Sequence, residues 1–189
     1  RDSRHSRGLG DVYKRQVLTR RLTDRPLRPL FPKSFHNDTN IAITVLSTDL
    51  TFPYSSLGII GASAALMVSD IPFNDPVGAC EVGLVEGELI INPSYEQLAE
   101  SDLQLTVAGT EDAIMMVEAG AKFVSEETLL EALELAQSHN AEIARLQKTI
   151  ATEIGKDKFE IPEVIEEKII NNEEGISKKF NEIYDNSDS

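Results

Sequence analysis

The sequence predicts an α+β fold, a mixed or antiparallel sheet covered by helices. Two hairpin signals lie close together in the middle of the chain, over 79–91 and 103–118. A small-residue helical stretch precedes them at 57–68, and a long amphipathic stretch follows from Ser125. Strands joined by short turns pair antiparallel, and helices on either side of them cover the sheet.

The elements follow in chain order. Residues 1–16, RDSRHSRGLGDVYKRQ, carry neither helical nor strand periodicity and read as a leader foreign to the fold, disordered and outside it. Val17–Leu30 opens as a helix or turn and is stopped by Pro26 and Pro29. Asn40–Thr48 alternates Ile41, Ile43 and Val45 on one side and predicts a strand. Ser56 is the expected N-cap of a helix over Leu57–Val68, whose Gly61, Ala62, Ser63, Ala64 and Ala65 suit close packing. Ala79–Val85 and Leu89–Ile91 flank Glu86-Gly87-Glu88 as a hairpin. Leu103–Ala108 and Ala113–Glu118 flank Gly109–Asp112 as a second one. Ser125, followed by Glu126 and Glu127, caps a long helix closed by Gly155. Pro162 starts a new segment, and Val164–Ile183 is apolar at helical spacing with a break at Gly175. The expected organisation is a leader over 1–16, a core domain over 17–155, and a linker with the start of a helical domain over 156–189.

Composition narrows the function classes. The chain has 189 residues, 41% of them hydrophobic, enough for one sizeable core. Its single cysteine, Cys80, excludes an internal disulfide, and His5, His36 and His139 are too scattered for a metal site. No apolar run is long enough to span a bilayer, and residues 1–16 lack a signal-peptide core. A soluble, cytoplasmic protein with no membrane partner is expected. The net charge of −14 is uneven: residues 1–33 hold ten basic and three acidic residues, and no Lys or Arg occurs between Lys33 and Lys122. An acidic body with a basic N-terminal segment allows one local anion-binding surface.

That segment holds the only dense charged motif, Arg20-Arg21-Leu22-Thr23-Asp24-Arg25-Pro26-Leu27-Arg28. Guanidinium groups match phosphate oxygens bidentately, so an RNA-backbone contact and an ion-pair interface are the two readings open here. Gly58-Ile-Ile-Gly61-Ala-Ser63 lacks the Gly-Lys-Ser/Thr ending of a phosphate loop and is read as helix packing. The acids Glu81, Glu86, Glu88, Glu111, Asp112 and Glu118 are read as a solvated hairpin rim, and Cys80 as a small core residue.

LTRRLTDRPLRPLFP, ITVLSTD, IIGASAAL, IPFNDPVGA, VAGTEDAIMMVEA and SEE occur in this order. Together they closely resemble the first core domain of the polynucleotide phosphorylase family, from about Val17 to the C-terminus. The resemblance implies an RNase PH-like β-α-β-α fold followed by the start of a helical domain. It implies a fragment, truncated at both ends, of a 3′-to-5′ phosphate-dependent exoribonuclease that degrades mRNA to nucleoside diphosphates. It further implies inorganic phosphate as co-substrate and magnesium in the complete enzyme. The partners it implies are single-stranded RNA, a homotrimer ring and degradosome components. The catalytic residues and magnesium ligands of the family lie mainly in a second core domain, so no catalytic or metal residue is assigned here. The RNA-binding residues that match the family's arginine-rich segment are Arg21, Arg25 and Arg28, with Arg28 expected on RNA and Arg25 expected to pair with Asp24 or another acid. Three departures are visible: the leader stands where the family has a Phe-Phe-Arg-Arg loop, Glu81 replaces a residue usually basic, and Gln137 stands where a helix histidine is common. The alternative reading is a non-catalytic RNA-binding or scaffold subunit of an exosome-like ring.

Overall fold

The computed structural model describes residues 20–160. The leader 1–16 and the segment Val164–Ile183 lie outside them. Residues 20–27 form helix α1, which passes through Pro26 rather than stopping there and tightens into a 3₁₀ turn over Arg28–Leu30. Helix α2 spans Ser55–Val68, α3 Tyr95–Glu100 and α4 Glu126–Ile154. Strands β1 (Gly78–Val85), β2 (Glu88–Ile91), β3 (Leu103–Gly109) and β4 (Ile114–Ala121) form one sheet in the order β2-β1-β3-β4, antiparallel throughout.

The first hairpin turns on Glu86 and Gly87, both with positive φ (52° and 85°), the backbone pair that matches strand twist in a two-residue loop. Alternation along the strands divides the core into two layers. On one face Cys80, Val82, Leu103, Leu105 and Val107 pack against Ala132 and Ala136 of α4. On the other, Ala79, Ala108 and Met116 meet Ile59, Ala62 and Leu66 of α2, with Leu22 and Leu27 of α1 and Phe73 completing the cluster.

Small residues bring the helices close. The buried Ser63 hydroxyl accepts the Val77 N–H at 2.8 Å, tying α2 to the chain entering β1. At Gly78 the backbone of α4 leaves no room for a side chain: a Cβ would stand 2.3 Å from the Asn140 carbonyl oxygen. Ser125 caps α4 by accepting the Thr128 N–H, and the helix ends at Gly155. Beyond it the chain returns to α2, where Lys158 Nζ donates to the carbonyls of Leu66, Met67 and Ser69 at 2.9, 2.9 and 2.8 Å. These are last-turn groups of a helix that carries no cation of its own there.

Two further expectations are corrected. Asn40–Thr48 is extended but is no strand: its backbone pairs with nothing among the described residues, and Ile41, Ile43 and Val45 are exposed. A strand needs a hydrogen-bonded neighbour, and alternation alone does not provide one. Helix α2 starts two residues early, after Tyr54 and without a side-chain cap, while Ser56 is buried inside it. Helix α3 was not foreseen: it is six residues long and rests on a capping box between Ser94 and Gln97.

Candidate nucleic-acid interface

An open groove runs between α1, the extended segment over 37–47 and the sheet. The sheet face turned away from α4 supplies its floor. Register fixes that floor: Glu81 pairs with Thr106, and Thr106 with Glu118, so these three side chains stand in a row across β1, β3 and β4. Gln104 and Gly120 extend the floor by one more rung. Tyr54 and Ser55 at the start of α2 also line the groove, as does Tyr95.

The rim carries cations among acids. Arg20, Arg28 and Lys33 line it together with Asp24 and Asp38. Arg28 and Asp24 are one helical turn apart and form a two-point ion pair, Nε to Oδ2 at 3.0 Å and Nη2 to Oδ1 at 2.7 Å. That hydrogen-bonded carboxylate raises the Arg28 pKa further above its ordinary value. The Arg28 side chain is still 77% exposed, so its outer face can meet a phosphate. Asp24 is therefore held by Arg28, not by Arg25. A residue next to Asp24 in sequence projects from a different side of the helix, which is why Arg25 does not make the Asp24 pair. Arg21 and Arg25 are exposed and lie outside the groove. Arg20 belongs to the arginine motif but not to the residues expected on RNA, and Lys33 and the two tyrosines are not singled out by the sequence. Only their chain positions beside the arginine segment and the α2 start could have hinted at them.

The acids separate into different roles. Glu86, Glu88 and Asp112 are exposed as expected. Glu81 is not a rim residue: it is 3% exposed, and its Oε1 accepts a short hydrogen bond from the Ser55 hydroxyl. Glu111 ties the β3–β4 turn to α4 through Lys148 (2.7 Å) and Arg145 (2.9 Å), which together hold its carboxyl below the usual range. Gln137 supports the same turn, donating to the carbonyls of Thr110 (3.0 Å) and Glu111 (3.2 Å). Burial, with the nearby Glu81 carboxylate, pushes the Cys80 thiol up to about 12, so it is no thiolate nucleophile at neutral pH.

Among the described residues no three His, Cys, Asp or Glu side chains converge in a way that could hold a metal ion. They do not fit a magnesium site, and no chemical step is derived through one. What the groove offers is recognition: exposed cations, half-exposed rings, and hydrogen-bond acceptors on the floor.

The 3′ exoribonuclease family, domain 1, matches residues 3–72, and domain 2 of the same family matches residues 75–139. The chain belongs to the 3′ exoribonuclease family. The α+β sheet with its covering helices is the RNase PH-like fold that the sequence predicts. Family relatives of high similarity are polyribonucleotide nucleotidyltransferases. That of Sulfurihydrogenibium sp. (strain YO3AOP1) is 45% identical over 174 residues, 92% of this chain and 24% of the relative. That of Halothermothrix orenii is 54% identical over 144 residues, 76% of this chain and 20% of the relative. That of Thermus thermophilus is 49% identical over 150 residues, 79% of this chain and 21% of the relative. The chain thus spans about a fifth to a quarter of the length of these family members. A solved structure, rice Rrp46, covers 53% of this chain and 48% of its own at 18% identity and a TM-score of 0.47.

Proposed function

We propose that this chain is the RNA-guiding part of a phosphate-dependent 3′-to-5′ exoribonuclease that degrades mRNA to nucleoside diphosphates. The observation that carries the reading is the 45–54% identity to polyribonucleotide nucleotidyltransferases over at least three quarters of the chain. The groove supports it. Its Arg20, Arg28 and Lys33 suit a phosphate backbone, and two half-exposed tyrosines suit unstacked bases. Arg28 meets phosphate in the groove. Arg21 and Arg25, both exposed, act as RNA contacts on the surface beside it.

In the complete enzyme inorganic phosphate is co-substrate, and magnesium is held by residues other than those described here. A homotrimer ring, contacts to degradosome components and a cytoplasmic location belong to the same reading. No helix among the described residues is long and apolar enough to cross a membrane. The domain limits we propose are a leader over 1–16, the core over 17–155, and a linker with the start of a helical domain over 156–189. The first family match begins at residue 3, so removal of residues 1–16 tests the lower limit. The function is tested by phosphorolysis of poly(A). A complete enzyme containing this chain should release ADP only when phosphate is present, and the 189-residue chain alone should release none. Release of AMP by hydrolysis, or release by the chain alone, would contradict the proposal.

A further inference from the structure

The groove floor holds a feature that phosphate binding does not use. Glu81 is almost wholly buried, yet its Oε2 has no hydrogen-bond partner among the described residues. A buried carboxylate oxygen left unpaired is costly, and of the buried side-chain oxygens without a partner among the described residues Glu81 Oε2 alone belongs to a residue that lines the groove, where a neighbouring side-chain shift would open it to a donor. The carboxylate is not free to turn away. Its Oε1 is taken by the Ser55 hydroxyl, and its backbone is locked from both sides by Asn92, whose Oδ1 accepts the Glu81 N–H (3.0 Å) while its own N–H donates to the Glu81 carbonyl (2.7 Å). Asn92 holds a positive φ of 50° to do this.

The neighbours of these anchors are aromatic. Tyr54 precedes Ser55, and Tyr95 follows Asn92 by three residues, with its N–H on the Thr51 carbonyl at 3.0 Å. Both rings are about 40% exposed and both line the groove. An acceptor at the floor, two rings and three cations line the one groove, and these are the parts of a single-strand base site: phosphates outside, base edge inward.

We propose that Glu81, with Tyr54 and Tyr95, forms a nucleobase pocket that selects bases presenting an amino group at their pairing edge over uracil. Cytosine offers its N4–H donors to the carboxylate, whereas uracil offers the O4 acceptor at the same place and only its N3–H, set between two carbonyl oxygens that the carboxylate repels. The proposal rests on the reading of the groove as an RNA site and adds specificity to it.

The test is fluorescence anisotropy of the 189-residue chain with short labelled oligo(C) and oligo(U), pyrimidines of similar size. Oligo(C) should bind roughly tenfold more tightly, the scale of one hydrogen bond to a charged group. Glu81→Gln keeps the shape and an acceptor for Ser55, and should bring the two affinities together. Arg28→Ala should weaken both oligonucleotides alike and leave their ratio unchanged. Equal binding of the two by the native chain, which needs no variant, overturns the pocket while leaving the RNA reading intact. A preference that survives in Glu81→Gln overturns it equally. Failure to bind either oligonucleotide overturns the RNA reading itself.

Discussion

Replacing Gly78 with alanine should destabilise the chain, and the contact geometry sets the size of the effect. Gly78 lies at the start of β1 opposite Gly109, where α4 crosses the sheet with its backbone against the strand. A Cβ there would meet the carbonyl oxygen, Cα and carbonyl carbon of Asn140 at 2.3, 2.7 and 2.9 Å. All three are main-chain atoms of a long helix, so no side-chain tip can rotate aside. Either α4 or β1 must move by about 1 Å, and overpacking of this kind costs about 1–3 kcal/mol. Alanine returns about 0.5–1 kcal/mol through the unfolded chain's lower entropy, which leaves a net loss of about 1–2 kcal/mol. For a domain of this size that is a fall in melting temperature of about 3–8 °C. Gly61→Ala in α2 is the matched control. Nothing lies within 4 Å of its Cβ, and a helix interior gains about 0.8–1 kcal/mol from Gly to Ala. Thermal and urea unfolding followed by far-UV circular dichroism should show the two variants shifting in opposite directions. A Gly78→Ala chain as stable as the native one would refute the backbone-to-backbone packing of α4 on β1.

Lys158→Met should lower stability by about 1.5 kcal/mol in urea unfolding, the low end for hydrogen bonds to a charged group, because solvent reaches this half-buried site. An unchanged midpoint would show that the three α2 carbonyls do not need the ammonium. Glu111→Gln should melt below the native chain at pH 7 at low salt. Its folded pKa is depressed, so the stabilisation is present above the unfolded value of about 4.3 and fades as pH falls through the folded one. The two melting curves should therefore converge on acidification and in high salt, and a gap that widens in acid would reverse the sign. Deleting residues 1–16 should leave the melting temperature unchanged, and a loss above about 1 kcal/mol would move the domain limit.

The parts of the fold legible in the sequence are those fixed by neighbours in the chain. The Glu86-Gly87 turn demands positive φ at two successive residues, and the Ser125 cap with its first-turn acids announces α4. Helix α3 was hidden because six residues are too few for periodicity, although Ser94 and Gln97 carry the capping spacing. Asn40–Thr48 has strand alternation, but alternation states only which side is apolar, not what pairs with it. The site was less legible than the fold. Asp24 and Arg28 stand at helical spacing, yet choosing between Arg25 and Arg28 required knowing that α1 continues through Pro26. Glu81 looks like any turn-proximal acid until Ser55, 26 residues away in sequence, is brought against it.

The central claim, that single-stranded RNA follows the cations along the rim of this groove, is tested most directly by the salt dependence of RNA binding. For the native chain log K should fall linearly with log salt concentration. For Arg28→Ala the slope should flatten by about 0.7, the single-strand value for one phosphate contact, with the melting temperature nearly unchanged since its partner Asp24 is exposed. An unchanged slope accompanied by a collapse in stability would contradict the claim and make the Asp24–Arg28 pair a structural clamp.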